Sequence, residues 1–220
     1  ILPELTQGGV ERYVVELSRE LVQTGHSCTV ISAGGKMAEQ IAKDGGQHIT
    51  LDVCSKNPLT FLHRALKLKA ELLKLNADIL HVHSRIPAWL VQFANRQLRI
   101  PLVSTVHGFN HISRYSRVMT RGHRIICVSN QVKDYIQTHY ATDENKISVI
   151  PCGVDAQEFD PERVNTDRVD HFRSVFDLKG KTVISAVGRI SRSKDYETFI
   201  RGIAICAKTH PNVVGLIVGG

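Results

Sequence analysis

Several features that would simplify the reading are missing from this chain, and each absence removes a class of function. No apolar run approaches the ~20 residues that a bilayer-spanning helix requires. Pro3 and Glu4 interrupt the start, so no signal peptide opens the sequence; Ile1 stands where a start methionine would, so the natural N-terminus is expected upstream. The five cysteines form no C-x-x-C pair and their number is odd, which argues against a disulfide framework and against zinc-ligand spacing. Cys28, Cys127 and Cys206 lie in apolar runs and are expected to be small core residues in a reduced, cytoplasmic setting. There is no G-x-G-x-x-G, no G-x-x-x-x-G-K-[ST], no G-x-S-x-G, no kinase signature and no D-x-D for a metal–nucleotide complex. Aromatic residues are few, 6% with one tryptophan, and are not interleaved with the basic ones, so no nucleic-acid motif is present.

What is present is basic and ordinary in hydrophobicity. The 220 residues exceed one typical domain and fall short of two. A net charge of +7 fits partners that carry phosphate, whether nucleotide, nucleic acid or anionic lipid. The charge is uneven: from Arg85 to Arg124 there is no Asp or Glu, yet Arg85, Arg96, Arg99, Arg114, Arg117, Arg121 and Arg124 all occur. A solvated basic face is the plain alternative to a binding surface there.

Short β-type runs alternate with amphipathic helical patterns, the signature of a parallel sheet with helices on both faces. Half a strand stands at Ile1-Leu2. Val10, Tyr13, Val14, Leu17 and Leu21 predict a helix from Val10 to Thr24, ended by Gly25. Strands are expected at 27–32, 48–53, 78–82, 101–106, 124–128 and 146–150. Between them, helices are expected at 58–75, with Leu59, Leu62, Leu66 and Leu73 on one side, and at 87–98. Another is expected from an N-cap at Ser129 through Tyr140. The stretch 108–122 is weakly patterned. Residues 156–179 are polar, with at most a short helix near Val169 to Phe176. A strand at 182–187, a helix at 195–209 and a strand at 213–218 then make one βαβ unit, too small to bury both faces of its sheet. The expected organisation is a Rossmann-like domain over 1–155, a linker over 156–180, and the beginning of a second domain over 181–220.

In such a sheet, ligands bind beyond the C-terminal strand ends, so residues just after strands carry the chemistry. Gly8 and Gly9 open the first helix, where a bare backbone and free N–H groups suit a phosphate or sugar; a structural turn explains them equally well. Glu11 reads as a favourable first-turn acid. His81 and His83 share a face at one strand end, but no Asp, Glu or Cys lies at a metal-ligand spacing, so no metal is assigned. His107, followed by Gly108, ends the next strand; a lone histidine there is more often structural than catalytic. Arg189 and Lys194 fall in one loop at a helix start, where two cations and a helix dipole suit a diphosphate; a solvated basic loop competes.

The order of these motifs is more specific than any one of them. Gly8-Gly9-Val10-Glu11 is followed by His83-Ser84, Thr105-Val106-His107-Gly108, Ile125 to Ser129, Val149 to Asp155, and Val187-Gly188-Arg189 with Lys194. The series resembles that of the group-1 (family 4) glycosyltransferases over essentially the whole chain. The resemblance implies the α/β GT-B fold of two facing Rossmann-like domains, the second represented only by its first βαβ part. It implies sugar transfer from a nucleotide-sugar, UDP- or GDP-linked, to an acceptor hydroxyl, with retention and without metal or other cofactor. Arg189 and Lys194 would hold the donor diphosphate, Gly8 and Gly9 would approach the donor, and His107 would sit near the transferred sugar. Relatives that act on lipid-linked or lipopolysaccharide acceptors imply a cytoplasmic place at the inner membrane face, with the Arg85–Arg124 region toward anionic lipid. Cys152 departs from the family, which usually has Asn before Gly-Val-Asp. The family's Glu-x7-Glu pair is expected beyond Gly220, so the 220 residues alone are expected to be inactive. The competing readings are a non-catalytic nucleotide-binding or scaffold protein on the same fold, a GT-B sugar-nucleotide epimerase and, more distantly, a nucleic-acid binder.

Overall fold

The computed structural model describes residues 1–219, apart from the side chain of Ser193; Gly220, the last residue of the expected second domain, lies outside the described residues. Contacts divide the chain into two units, Ile1–Gly153 and Val154–Gly220.

The first unit alternates helix and strand. In chain order it contains α1 (Gly9–Gln23), β1 (Thr29–Ser32), α2 (Ala38–Lys43), β2 (Gln47–Thr50), α3 (Phe61–Leu75), β3 (Leu80–Val82), α4 (Arg85–Ala94), β4 (Leu102–Val106), β5 (Arg124–Cys127), α5 (Asn130–Tyr140) and β6 (Ile147–Val149). β1 pairs with β2, and β3, β4, β5 and β6 pair in that order, all parallel. Ile1 and Leu2 join the two sets. Leu2 N donates to Ile31 O (3.2 Å) on one side, and His83 N donates to Ile1 O (3.1 Å) on the other. The strands therefore run β2, β1, the 1–2 segment, β3, β4, β5, β6. The order reverses between the 1–2 segment and β3, which is where open α/β sheets bind ligands.

Local signals explain most boundaries. Gly25, at φ +87, lets the chain turn left-handed after α1, and its N–H closes on Val22 O (3.0 Å). Ser129 accepts from Val132 N (3.3 Å), the side-chain cap of α5. A buried Asn95 closes the α4–β4 loop twice, donating to Ile100 O (2.7 Å) and accepting from Ile100 N (2.9 Å).

The face of α3 differs from the sequence expectation. Ala65, Leu68 and Leu72 are buried, with Phe61 and Leu75 packed beside them, whereas Leu59, Leu62, Leu66 and Leu73 are exposed. Both leucine sets keep a helical spacing. The winning stripe contains Phe61 and the small Ala65, which lets α3 pack on α4, whose Ala88, Leu90, Val91 and Ala94 are buried in the same cluster. Each large apolar side chain buried there stabilises the fold by about 1.5–3 kcal/mol.

The second unit holds a 3-10 turn (Pro161–Arg163), α6 (Thr166–Val175), β7 (Thr182–Val187), α7 (Tyr196–Cys206) and β8 (Val213–Val218). The polar 156–179 stretch, expected to hold at most a short helix near Val169 to Phe176, contains the ten-residue α6, capped by Asn165, whose side chain accepts from Arg168 N. β7 and β8 pair parallel over their whole length. Gly215 lies against α7, since a Cβ there would come within 2.9 Å of Ile203. Leu178 is the one buried apolar residue of this unit among the described residues. Cys206, expected in a core, is exposed at the end of α7, with no cover among the described residues; Cys127 is buried as expected and Cys28 is intermediate.

Candidate active site

The H-x-H end of β3 and the T-x-H end of β4 are adjacent. In the parallel register Leu80 sits beside Leu102 and Val82 beside Ser104. Period-2 alternation then sends His81, His83, Thr105 and His107 to one face. Two diagonal contacts result: His81 Nε2 to Thr105 Oγ1 (2.7 Å), and His83 Nδ1 to His107 Nε2 (3.2 Å). The His81 and His83 rings lie 4.1 Å apart. Tyr13, from the second turn of α1, sets its ring edge-on to both His83 (5.8 Å) and His107 (5.0 Å).

Burial decides the charge of this cluster. Removal from water disfavours imidazolium, lowering His81 to about 3 and His107 to about 4 from an ordinary 6.5, and His83 well below it. The three rings are neutral at physiological pH, each with one donor and one acceptor nitrogen. Burial also raises the Tyr13 phenol above its ordinary value. Among the described residues, no group of three or more His, Cys, Asp or Glu is placed to hold a metal ion.

The same helix that carries Tyr13 begins at Gly9. Gly8 is its cap, in extended backbone, and no side chain caps the free amides. A Cβ on Gly9 would meet nothing within 4 Å, and neither would one on Gly108 after His107. The fold therefore has no packing need for glycine at either position. A Cβ on Gly8 would collide with the Glu11 carboxylate, which folds back over it.

In the second unit, Gly188 follows β7 at φ +155, its N–H bonded to Val218 O (2.9 Å) and its carbonyl accepting from the Tyr196 hydroxyl (2.6 Å). Arg189, Arg192 and Lys194 are exposed around it, and a Cβ on Gly188 would touch the Lys194 stem at 3.3 Å. Neither Arg189 nor Lys194 has a carboxylate partner among the described residues. The helix begins next to this loop, as expected, but its first amides are partly taken. A 3-10 turn (Arg192–Lys194) precedes α7, and the Asp195 side chain takes the Thr198 amide (3.3 Å). The cations, more than the helix end, supply the positive charge. After β6, Cys152 is exposed and Asp155 caps its own turn, accepting from Gln157 N and Glu158 N.

The acid-free stretch is partly structural. Arg85 lies over the Tyr115 ring (5.6 Å) and donates to Ser116 Oγ (3.2 Å); Trp89 stacks on Tyr115 and Arg121 lies over Trp89 (5.2 Å). Arg124 donates to Asn145 O (2.7 Å). Arg114 and Arg117 remain exposed, in a segment that also exposes Phe109 (66%) and Ile112 (50%).

Of the residues singled out from sequence, the structure gathers His81, His83 and His107 in one cluster and Arg189 with Lys194 in one loop. Tyr13 was read only as an apolar helix position and Thr105 only as part of a motif. The signal that could have found the cluster is the shared offset of 24 positions in His81–Thr105 and His83–His107 across consecutive strands.

The chain is similar to known proteins in sequence and in fold. Residues 7–158 match the model of Glycosyltransferase Family 4. Spore coat protein SA of Bacillus subtilis (strain 168) is 23% identical over 229 residues, covering 99% of this chain and 58% of the relative. The UDP-Gal:alpha-D-GlcNAc-diphosphoundecaprenol alpha-1,3-galactosyltransferase of Escherichia coli is 30% identical over 164 residues, covering 67% of this chain and 42% of the relative. A glycosyltransferase structure from Rickettsia africae superposes with a TM-score of 0.78 at 25% identity, covering 100% of this chain and 68% of that one. Anabaena HepE in complex with UDP-glucose superposes at 0.80 with 16% identity, covering 98% of this chain and 59% of that one. The chain spans 58, 56 and 50% of the length of the first three curated relatives it matches. The α/β architecture is that of the GT-B glycosyltransferases, and the chain belongs to Glycosyltransferase Family 4.

Proposed function

We propose that this chain is the first domain and the opening of the second domain of an enzyme that transfers a sugar from a nucleotide-sugar to an acceptor hydroxyl. Residues 1–155 form the acceptor-side domain and residues from 181 begin the donor-binding domain. The observation that carries the reading is the pair of unneutralised cations, Arg189 and Lys194, on a glycine-bounded loop after β7. Negative charge develops on the diphosphate as the sugar–oxygen bond breaks, and fixed positive charge there lowers the barrier. Because these two side chains supply that charge, the transfer needs no metal.

His107, neutral and beyond β4, orients the transferred sugar or its acceptor, and Gly8 and Gly9 give donor oxygens close access to backbone amides. The E. coli relative's name pairs a UDP-sugar with a lipid-linked acceptor, and HepE was captured with UDP-glucose. Those likenesses favour a UDP-sugar donor and a lipid-linked acceptor; the family resemblance adds a GDP-sugar donor or a glycan acceptor as the alternative and implies retention. The product feeds cell-surface glycan, lipopolysaccharide included. Among the described residues, no helix is long and apolar enough to cross a membrane. The exposed Arg114, Arg117, Phe109 and Ile112 support peripheral contact with anionic lipid at the cytoplasmic membrane face. Arg114→Glu with Arg117→Glu should abolish co-sedimentation with anionic vesicles; equal binding to neutral vesicles by the parent protein counts against that contact.

The test is a nucleotide-sugar screen on the full-length protein. Transfer with an unchanged rate in EDTA is expected. Arg189→Ala or Lys194→Ala should lower kcat by about 10²–10³-fold, the scale of losing one charge-stabilising group. A variant rate equal to the parent's removes the reading. The 220 residues alone should not turn over, and measurable transfer by them refutes that part.

A further inference from the structure

We propose that His83 is the positioning residue of His107: its Nδ1 hydrogen-bonds Nε2 of His107 and fixes which nitrogen, donor or acceptor, His107 presents to its ligand. The inference rests on the reading of His107 as a sugar-facing group.

Geometry carries the argument. His83 is 6% exposed, so an unpaired ring nitrogen there is costly and the 3.2 Å contact to His107 is worth keeping. Its ring cannot swing away. The His81 ring lies tilted against it at 4.1 Å and is itself anchored on Thr105 at 2.7 Å, while Tyr13 stands edge-on at 5.8 Å. His107, by contrast, is only partly buried and follows β4 at the ligand-binding edge of the sheet, and its Nδ1 has no partner among the described residues.

Two neutral imidazoles joined this way share one proton between the facing nitrogens. If His83 donates, His107 carries its own proton on Nδ1 and presents a donor. If His107 donates, its Nδ1 presents a lone pair. Either way the nitrogen that His107 presents is tied to the tautomer of the buried His83, a partner already in place before ligand arrives. In the sequence His83 reads as half of a failed metal pair, and only the shared offset of 24 positions to His107 points to the contact.

The test uses histidine-labelled protein and 15N spectra, which need no turnover. The parent should show His107 in a single tautomer and a 15N–15N coupling between His83 Nδ1 and His107 Nε2. His83→Asn keeps an amide atom where Nδ1 stands, since both are bonded to Cγ, and should retain the single tautomer. His83→Phe keeps a ring without nitrogen and should leave His107 averaging both tautomers. In the full-length enzyme, His83→Phe should lower kcat by about 10–100-fold with donor KM unchanged, and His83→Asn should recover most of it. No coupling in the parent, or an unaltered His107 spectrum in His83→Phe, overturns the proposal. If His83→Phe does not fold, the parent coupling and the Asn variant decide it. If the spectra behave as stated but no variant or parent transfers sugar, the transferase reading falls and the positioning role stands.

Discussion

The two units are built from the same pattern and end in different states. In the first, helices cover the sheet and the core is closed: Leu68, Leu72, Leu90, Val91, Ile125 and Ile136 are almost wholly buried. In the second, which the proposed reading makes only the opening of its domain, two strands and α7 follow the same local rules, yet Ile184, Val187, Ile200, Ile205, Ile217 and Val218 are exposed within these 220 residues. Propensity, caps and parallel register suffice to shape a βαβ unit. They do not remove its apolar surface from water, which is where most stability arises. Chemistry divides differently. The closed unit holds neutral groups at a buried strand edge, and the open unit holds free cations on an exposed loop.

Core truncation should separate the units most sharply. In the 220 residues alone, Leu90→Ala should cost about 2–5 kcal/mol in urea unfolding, whereas Ile205→Ala should change stability by no more than about 0.5 kcal/mol. A comparable cost at both sites would show that α7 is covered after all. Acid should act on the first unit through its histidines. The unfolded chain takes up protons below pH 6.5, while the folded His107 and His81 do so only at about 4 and about 3. Stability is therefore full above pH 6.5 and falls progressively toward pH 3. Thermal melts over that range should show the decline, and it should weaken in His81→Phe.

Helix caps should erase the contrast, because they act locally. Ser129→Ala on α5 and Asp195→Ala on α7 should each cost about 1 kcal/mol, read from amide exchange in the respective helix. As small for stability as Ile205→Ala is Gly9→Ala, expected within about 0.5 kcal/mol because its Cβ enters open space. That substitution should nonetheless impair sugar transfer by the full-length protein. If Gly9→Ala leaves transfer intact, Gly9 is only a helix start.

Legibility in the sequence followed the same division. Element order and most strand positions could be read because a period-2 run between glycines has few alternatives. The face of α3 could not, because two leucine stripes compete and only the partner helix selects between them. Arg189 and Lys194 were legible because a loop keeps its cations adjacent in sequence. Tyr13 and the His83–His107 bond were not, because they need the register of two strands and the placement of α1. Cys206 misled because an apolar neighbourhood in sequence became an uncovered helix end in space.

The most direct test is a UDP titration of the full-length 15N-labelled protein, followed by a UDP-sugar titration, each with Lys194→Ala as control. UDP should shift the amides of 188–194 and leave His107 unmoved, the sugar-bearing ligand should shift His107 as well, and Lys194→Ala should weaken both. Shifts that avoid 188–194, or that Lys194→Ala leaves unchanged, contradict the assignment of the diphosphate to this loop.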